Sequence, residues 1–150
     1  MSRGRKIASA VLLVLTIALC VIIFLLSAEN ADESSMKSGG LIELIAKIFG
    51  VEFTDFVVRK FAHASEFALL GFLSAITVCV YTFDLKKLYV SVVFSVLYAV
   101  SDEIHQIFVD GRACQFRDMC IDTAGVLIGT AIVAVIFYLY LKKRQKTVDK

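Results

Sequence analysis

Residues Ile7 to Leu26 read IASAVLLVLTIALCVIIFLL, twenty positions without one charge. At about 1.5 Å per residue, a helix of that length reaches roughly 30 Å, the thickness of a bilayer's hydrocarbon core. Arg3, Arg5 and Lys6 precede it, as they would in a secretion signal. The run outlasts the apolar stretch of such a signal, however, and Leu26-Ser27-Ala28 is a poor cleavage site. It reads as a retained membrane anchor. Three more spans follow, at about 61–83, 88–108 and 119–141. The third is unusual, because only Leu88 to Ser101 is uncharged. Fourteen residues cover about 21 Å, so this helix crosses only by carrying Asp102, Glu103 and His105 into or close to the membrane.

The composition agrees. Of 150 residues 59% are hydrophobic and 20% charged, with a mean hydropathy of +0.80. That is too apolar for disorder and exceeds what a soluble core of this size can hide. A net charge of +2 lacks the basic excess of nucleic-acid binders, so no nucleic-acid partner is expected. The expectation is one domain over residues 1–150, an all-α integral membrane antiparallel four-helix bundle. Four spans put both ends on one side. The N-terminus, the Asp84–Lys87 turn and the tail after Leu141 hold ten Lys/Arg and two Asp. The opposite segments, 27–60 and 101–120, hold six Lys/Arg against ten Asp/Glu. By the positive-inside rule both termini are cytoplasmic. In the first outer loop a polar stretch, Ser27–Gly40, leads into Leu41, Leu44, Ile45, Ile48 and Phe49, with Glu43 and Lys47 off that face and Gly50 after it. This spacing predicts a short amphipathic helix that lies on the membrane or caps the bundle. Cys20 and Cys79 fall in apolar runs, and spacing leaves Cys114 and Cys120 either paired or free.

Polar residues within spans show which helix faces turn inward. At 100° per residue Ser91, Ser95, Tyr98, Asp102 and His105 fall within an arc of about 80°. Asp118, Asp122, Gly125 and Gly129 share a face of the fourth span, and Ser9, Thr16, Cys20 and Ser27 share one on the first. The second span has a small-residue stripe, Ala64, Ala68, Gly71 and Ala75, roughly opposite His63 and Glu66. Small stripes and Gly-x-x-x-Gly suit close helix packing in lipid. Ser91, Ser95 and Tyr98 read as packing residues. The alternation of spans then puts His63, Glu66, Asp102, Glu103, His105, Gln106, Asp118 and Asp122 toward one outer end. Arg112 sits above them, after Asp110-Gly111. A carboxylate at mid-membrane costs about 2.5–3.5 kcal/mol on insertion scales, so this grouping is the feature that carries chemistry.

Several motifs run in order from about Phe56 to Gly129. They are Arg59-Lys60-Phe-Ala-His63-Ala-Ser-Glu66-Phe-Ala-Leu-Leu-Gly71-Phe, then Ser101-Asp102-Glu103-Ile-His105-Gln106-Ile-Phe, Gly111-Arg112, and Asp118 with Asp122-Thr-Ala-Gly125. Together they resemble the VanZ-like family of bacterial membrane proteins. The chain departs from that family's pattern at Phe67 (usually Tyr), Gln115 (Ser), Asp122 (Asn) and Asp110, where a Pro commonly precedes the glycine. The extra acid at Asp122 makes the cluster more negative and favours a cation. The family's association with resistance to the glycopeptide teicoplanin implies a cell-envelope location, in the bacterial inner membrane, and a role in cell-surface chemistry.

Three readings of the cluster stay open. As an enzyme it would use His63, Glu66, Asp102, His105 and Asp118 catalytically, with Lys60, Gln106 and Arg112 on the substrate. The i, i+3 and i, i+4 pairs His63/Glu66, Asp102/His105 and Asp118/Asp122 offer His63, Glu66, Asp102, His105 and Asp122 as ligands for a divalent metal ion that activates water. As a binding module it would use Arg59, Lys60 and Arg112 to hold a membrane lipid, a lipid-linked envelope precursor or a glycopeptide, with Leu41–Phe49 as a lid. As interhelical glue the same groups would only pair with one another.

Overall fold

The structure is a computed structural model that describes residues 2–29 and 54–148. The expected amphipathic helix at Leu41–Phe49 lies outside the described residues. Helix α1 spans Arg3–Ser27, α2 Asp55–Thr82, α3 Leu88–Gln106 and α4 Phe116–Val148, with a 3-10 turn at Leu85–Lys87 between α2 and α3. Among the described residues these four helices are long and apolar enough to cross a membrane. The helices exceed the apolar spans where polar residues keep helical geometry. Thr54 caps α2 by accepting from the Val57 N–H (3.4 Å), so the helix starts before the hydrophobic run. Lys142, Lys143 and Arg144, good helix formers, extend α4 beyond its own.

Each helix buries a narrow stripe and exposes the rest. On α1 the buried face is Ser9, Thr16, Leu19, Ile23 and Ser27, while Val11, Val14, Ile17, Ile22 and Leu25 face outward. Large aliphatic side chains displayed around a bundle mark a surface solvated by lipid. The chain is a multi-pass membrane protein.

Consecutive helices run antiparallel, and α2 is the hub: α1, α3 and α4 all pack on it, while α1 and α4 do not meet among the described residues. The tightest pair is α2 with α4, which run in the same direction. Their small residues interlock in register. A Cβ on Gly125 would meet the Ala64 carbonyl, one on Gly129 the Ala68 carbonyl, and one on Gly71 the Val126 backbone. Both small-residue motifs expected to pack thus meet each other. Around this contact Leu19, Ile23, Phe67, Leu70, Ala99 and Val126 form the main apolar core. Short hydrogen bonds join the other helices to it. Ser74 bonds Ser91 (2.6 Å) and Ser95 (3.0 Å), Thr16 bonds Thr77 (3.3 Å), and the Tyr98 hydroxyl donates to the Cys20 carbonyl (2.6 Å). All four cysteines are free thiols.

The end that carries both termini has its own fastener. The Arg5 guanidinium donates to the Val80 carbonyl (3.1 and 3.0 Å) and the Tyr81 carbonyl (3.2 Å), satisfying the last turn of α2. Phe83 adopts a left-handed conformation (φ 57°) that ends the helix. The Arg5 and Arg144 guanidiniums stand over its ring, at 4.8 and 5.2 Å, and the ring meets Phe137 and Tyr140 edge-on.

The α2–α4 register predicts that Gly129→Ala costs about 1–3 kcal/mol, since neither backbone can retreat without parting the helices. Gly4→Ala, with nothing within 4 Å of the new methyl, should be neutral or slightly stabilising. Thermal unfolding of the two variants in detergent, compared with the parent, checks the difference.

Candidate functional site

At the end opposite both termini, α2, α3, α4 and the loop 107–115 enclose a cavity of about 210 Å³ lined by Arg59, Lys60, His63, Gln106, Gly111, Arg112, Ala113, Gln115 and Asp118. The loop turns sharply at its tip. The Arg112 N–H bonds the Val109 carbonyl (3.1 Å), and Gly111 takes φ 75°, a conformation that favours glycine. Glu103, 1% exposed, accepts from the Gln115 N–H (3.0 Å) and so pins the loop's far end to α3. Lys60 and Asp118 form an ion pair across α2 and α4. In the first turn of α4, Asp118 stands two turns before Gly125, so the glycine contact positions both partners.

Below the loop, Asp102 is committed elsewhere. It accepts from the Ser27 hydroxyl (3.1 Å) and the Gln106 amide (3.4 Å), and Gln106 also donates to Ser27 (3.1 Å). This triangle is buried, with Asp102 3% exposed, and fastens the end of α1 to α3.

Five of the expected site residues, Lys60, His63, Gln106, Arg112 and Asp118, therefore come together around one cavity. Glu66, Asp102, His105 and Asp122 do not line it. The expected metal set His63, Glu66, Asp102, His105 and Asp122 is not assembled. Among the described residues no three His, Cys, Asp or Glu side chains group to hold a metal ion. The reason is orientation. His105 stacks on Phe24 of α1, with ring centroids 4.5 Å apart, while Asp102 serves Ser27 and Gln106. Spacing along one helix does not fix which neighbour a side chain turns to. The His63 Nδ1 atom is buried without a hydrogen-bond partner. Asp122 is 1% exposed with both carboxylate oxygens unpartnered.

Sequence reasoning did not find Gln115 or the loop-anchoring role of Glu103. A residue in an irregular loop has no period to read, and an acid next to a second acid looks the same whether it anchors or reacts.

The electrostatics of the cavity favour an anion. Burial pulls the Arg112 guanidinium below its ordinary value, and Arg59 beside it acts in the same direction; Asp102, Glu29 and Glu103 oppose them. An arginine stays charged under any such shift, so two guanidiniums face a small space together.

An all-helical multi-pass membrane protein, with a charged pocket under a short loop at the end of its bundle, is the class that fold and site define. The model of the VanZ/LLP1 family matches residues 12–138, and the chain belongs to that family. Comparison with curated proteins and with solved structures gives no match.

If Glu103 anchors the loop, Glu103→Ala leaves the Gln115 N–H unpaired and costs about 1–3 kcal/mol. Glu103→Gln, which keeps an acceptor oxygen, should lose much less. Unfolding midpoints, together with proteolysis of the 107–115 loop, report the contrast.

Proposed function

We propose that the chain is an inner-membrane protein of the bacterial envelope, with both termini cytoplasmic. Its outer pocket binds the anionic headgroup of a membrane lipid or a lipid-linked envelope precursor. The observation that carries this reading is the convergence of Arg59, Lys60 and Arg112 on one cavity at the bundle's polar end. The orientation rests on basic residues at the opposite end, where Arg3, Arg5, Lys6, Lys86, Lys87 and Lys142–Arg144 gather.

The chemistry follows from the donor set. A guanidinium presents a planar fork to a phosphate and binds it through two parallel hydrogen bonds. Arg112 supplies that fork from the loop, and Arg59 adds a second positive charge. Lys60 is held by Asp118 until an anion competes for it, so binding exchanges one ion pair for another. Gln106 and Gln115 offer neutral hydrogen bonds that adjust to a headgroup's remaining oxygens. Retaining a lipid-linked precursor, or an amphiphilic glycopeptide, is how such a pocket would bear on glycopeptide resistance.

The test is binding of the purified protein in nanodiscs to anionic and zwitterionic lipid. Arg112→Ala and Lys60→Ala should each weaken anionic-lipid binding about tenfold, the equivalent of roughly 1.4 kcal/mol. Asp118→Asn should leave affinity unchanged or raise it, because it releases Lys60. Added salt should weaken binding in the parent more than in Arg112→Ala. Equal affinity for both lipid classes, or a folded Arg112→Ala variant with parental affinity, overturns the reading.

A further inference from the structure

On the other side of Lys60 from the charged cavity lies a second hollow, a groove of about 350 Å³ between α2 and α4 lined by Val57, Lys60, Phe61, Ala64, Arg117 and Ile121. Lys60 is common to both. From the geometry we infer that this groove holds the hydrocarbon chain of the ligand whose phosphate sits in the cavity, so that the lipid reaches the pocket sideways, from the outer leaflet, between α2 and α4. The inference rests on the headgroup reading above and specifies how its ligand is oriented.

Three features support a chain rather than a second polar group. The groove has a floor set by the fold: at Ala64 the two helix backbones touch through Gly125, and toward the polar end they leave a gap. Its walls above that floor are aliphatic and aromatic, and the α2 wall is open to lipid, with Val57 46% and Phe61 74% exposed. A bilayer chain therefore meets the groove without crossing water. The charges are arranged to match. Lys60 and Arg117 flank the groove on α2 and α4, at the level where an anionic headgroup would pass. The methylene stem of Lys60 contributes apolar wall to the groove, while its ammonium reaches Asp118 in the cavity. The residue that separates the two spaces thus suits both ends of an amphiphile.

The groove commits the site to a lipid-borne phosphate in preference to a soluble one, and the two sources separate by experiment. The probes are dioleoyl phosphatidic acid in nanodiscs and glycerol 3-phosphate in solution. Val57→Trp and Ile121→Trp fill the groove from opposite helices, and Val57 is exposed enough for the exchange to spare the fold. Both variants, with parental unfolding midpoints, should bind phosphatidic acid at least tenfold more weakly and glycerol 3-phosphate as the parent does. Phosphatidic acid carrying a photoreactive group within the first few carbons of its chain should label α2 and α4 around Ala64 and Ile121. Parental phosphatidic acid affinity in either folded variant, or labelling confined to other helices, overturns the inference and leaves the headgroup reading standing. Groove variants that weaken phosphatidic acid while Arg112→Ala does not would keep the chain site and remove the headgroup pocket. A parent chain that binds neither probe removes both.

Discussion

The backbone contact between α2 and α4 is the constraint from which the rest of this bundle follows. In lipid the hydrophobic effect gives two apolar helices no reason to associate, so the association must come from close packing. Ala64 and Ala68 against Gly125 and Gly129 let the backbones touch. That touch fixes the register of two helices that run in the same direction. Once it is set, α3 closes one side through Ser74, Ser91 and Ser95, and α1 leans on α2 through Thr16 and Thr77. The register also places Lys60 opposite Asp118 and leaves a cleft on each side of that pair.

Polar groups in the spans divide into two sets with different duties. Asp102 with Ser27 and Gln106, and Glu103 with the Gln115 N–H, fasten α1 and the 107–115 loop to α3. Each accepts hydrogen bonds that partly offset the cost of placing a carboxylate at that depth. Neither acid lines the cavity, although the charge of both still acts on Arg112 in the loop. Among the described residues, what lines the cavity is dominated by Arg59, Lys60 and Arg112, relieved by the acid Asp118. A cluster whose composition reads as acidic therefore encloses a cavity whose walls favour an anion.

The site was partly legible in the sequence. The depth argument sent His63, Gln106, Arg112 and Asp118 to one end of the bundle, where they line one cavity together with Lys60, because alternating spans admit a single arrangement of ends. It did not separate them from Glu66, Asp102, His105 and Asp122, which share that depth. The helical wheel gave His105 and Asp102 a common face, yet His105 turns to Phe24 while Asp102 turns to Ser27 and Gln106. Periodicity resolves a face to about a third of a turn, and two neighbouring helices fit within that width. The pinning of Gln115 by Glu103 had no periodic signal at all, since one partner lies in a loop.

What the residues alone determined is the multi-pass all-helical architecture, its internal small-residue seams and the end at which charge accumulates. These follow from run length, hydropathy and angular spacing, all of which are local properties of the chain. Tertiary structure alone decided that the two small-residue seams meet each other, that α2 is the hub, and which charged groups are fasteners and which line the cavity. Those outcomes depend on rotation and translation between helices far apart in sequence. They are set by which backbones approach closely enough to interlock, a quantity that no single helix contains.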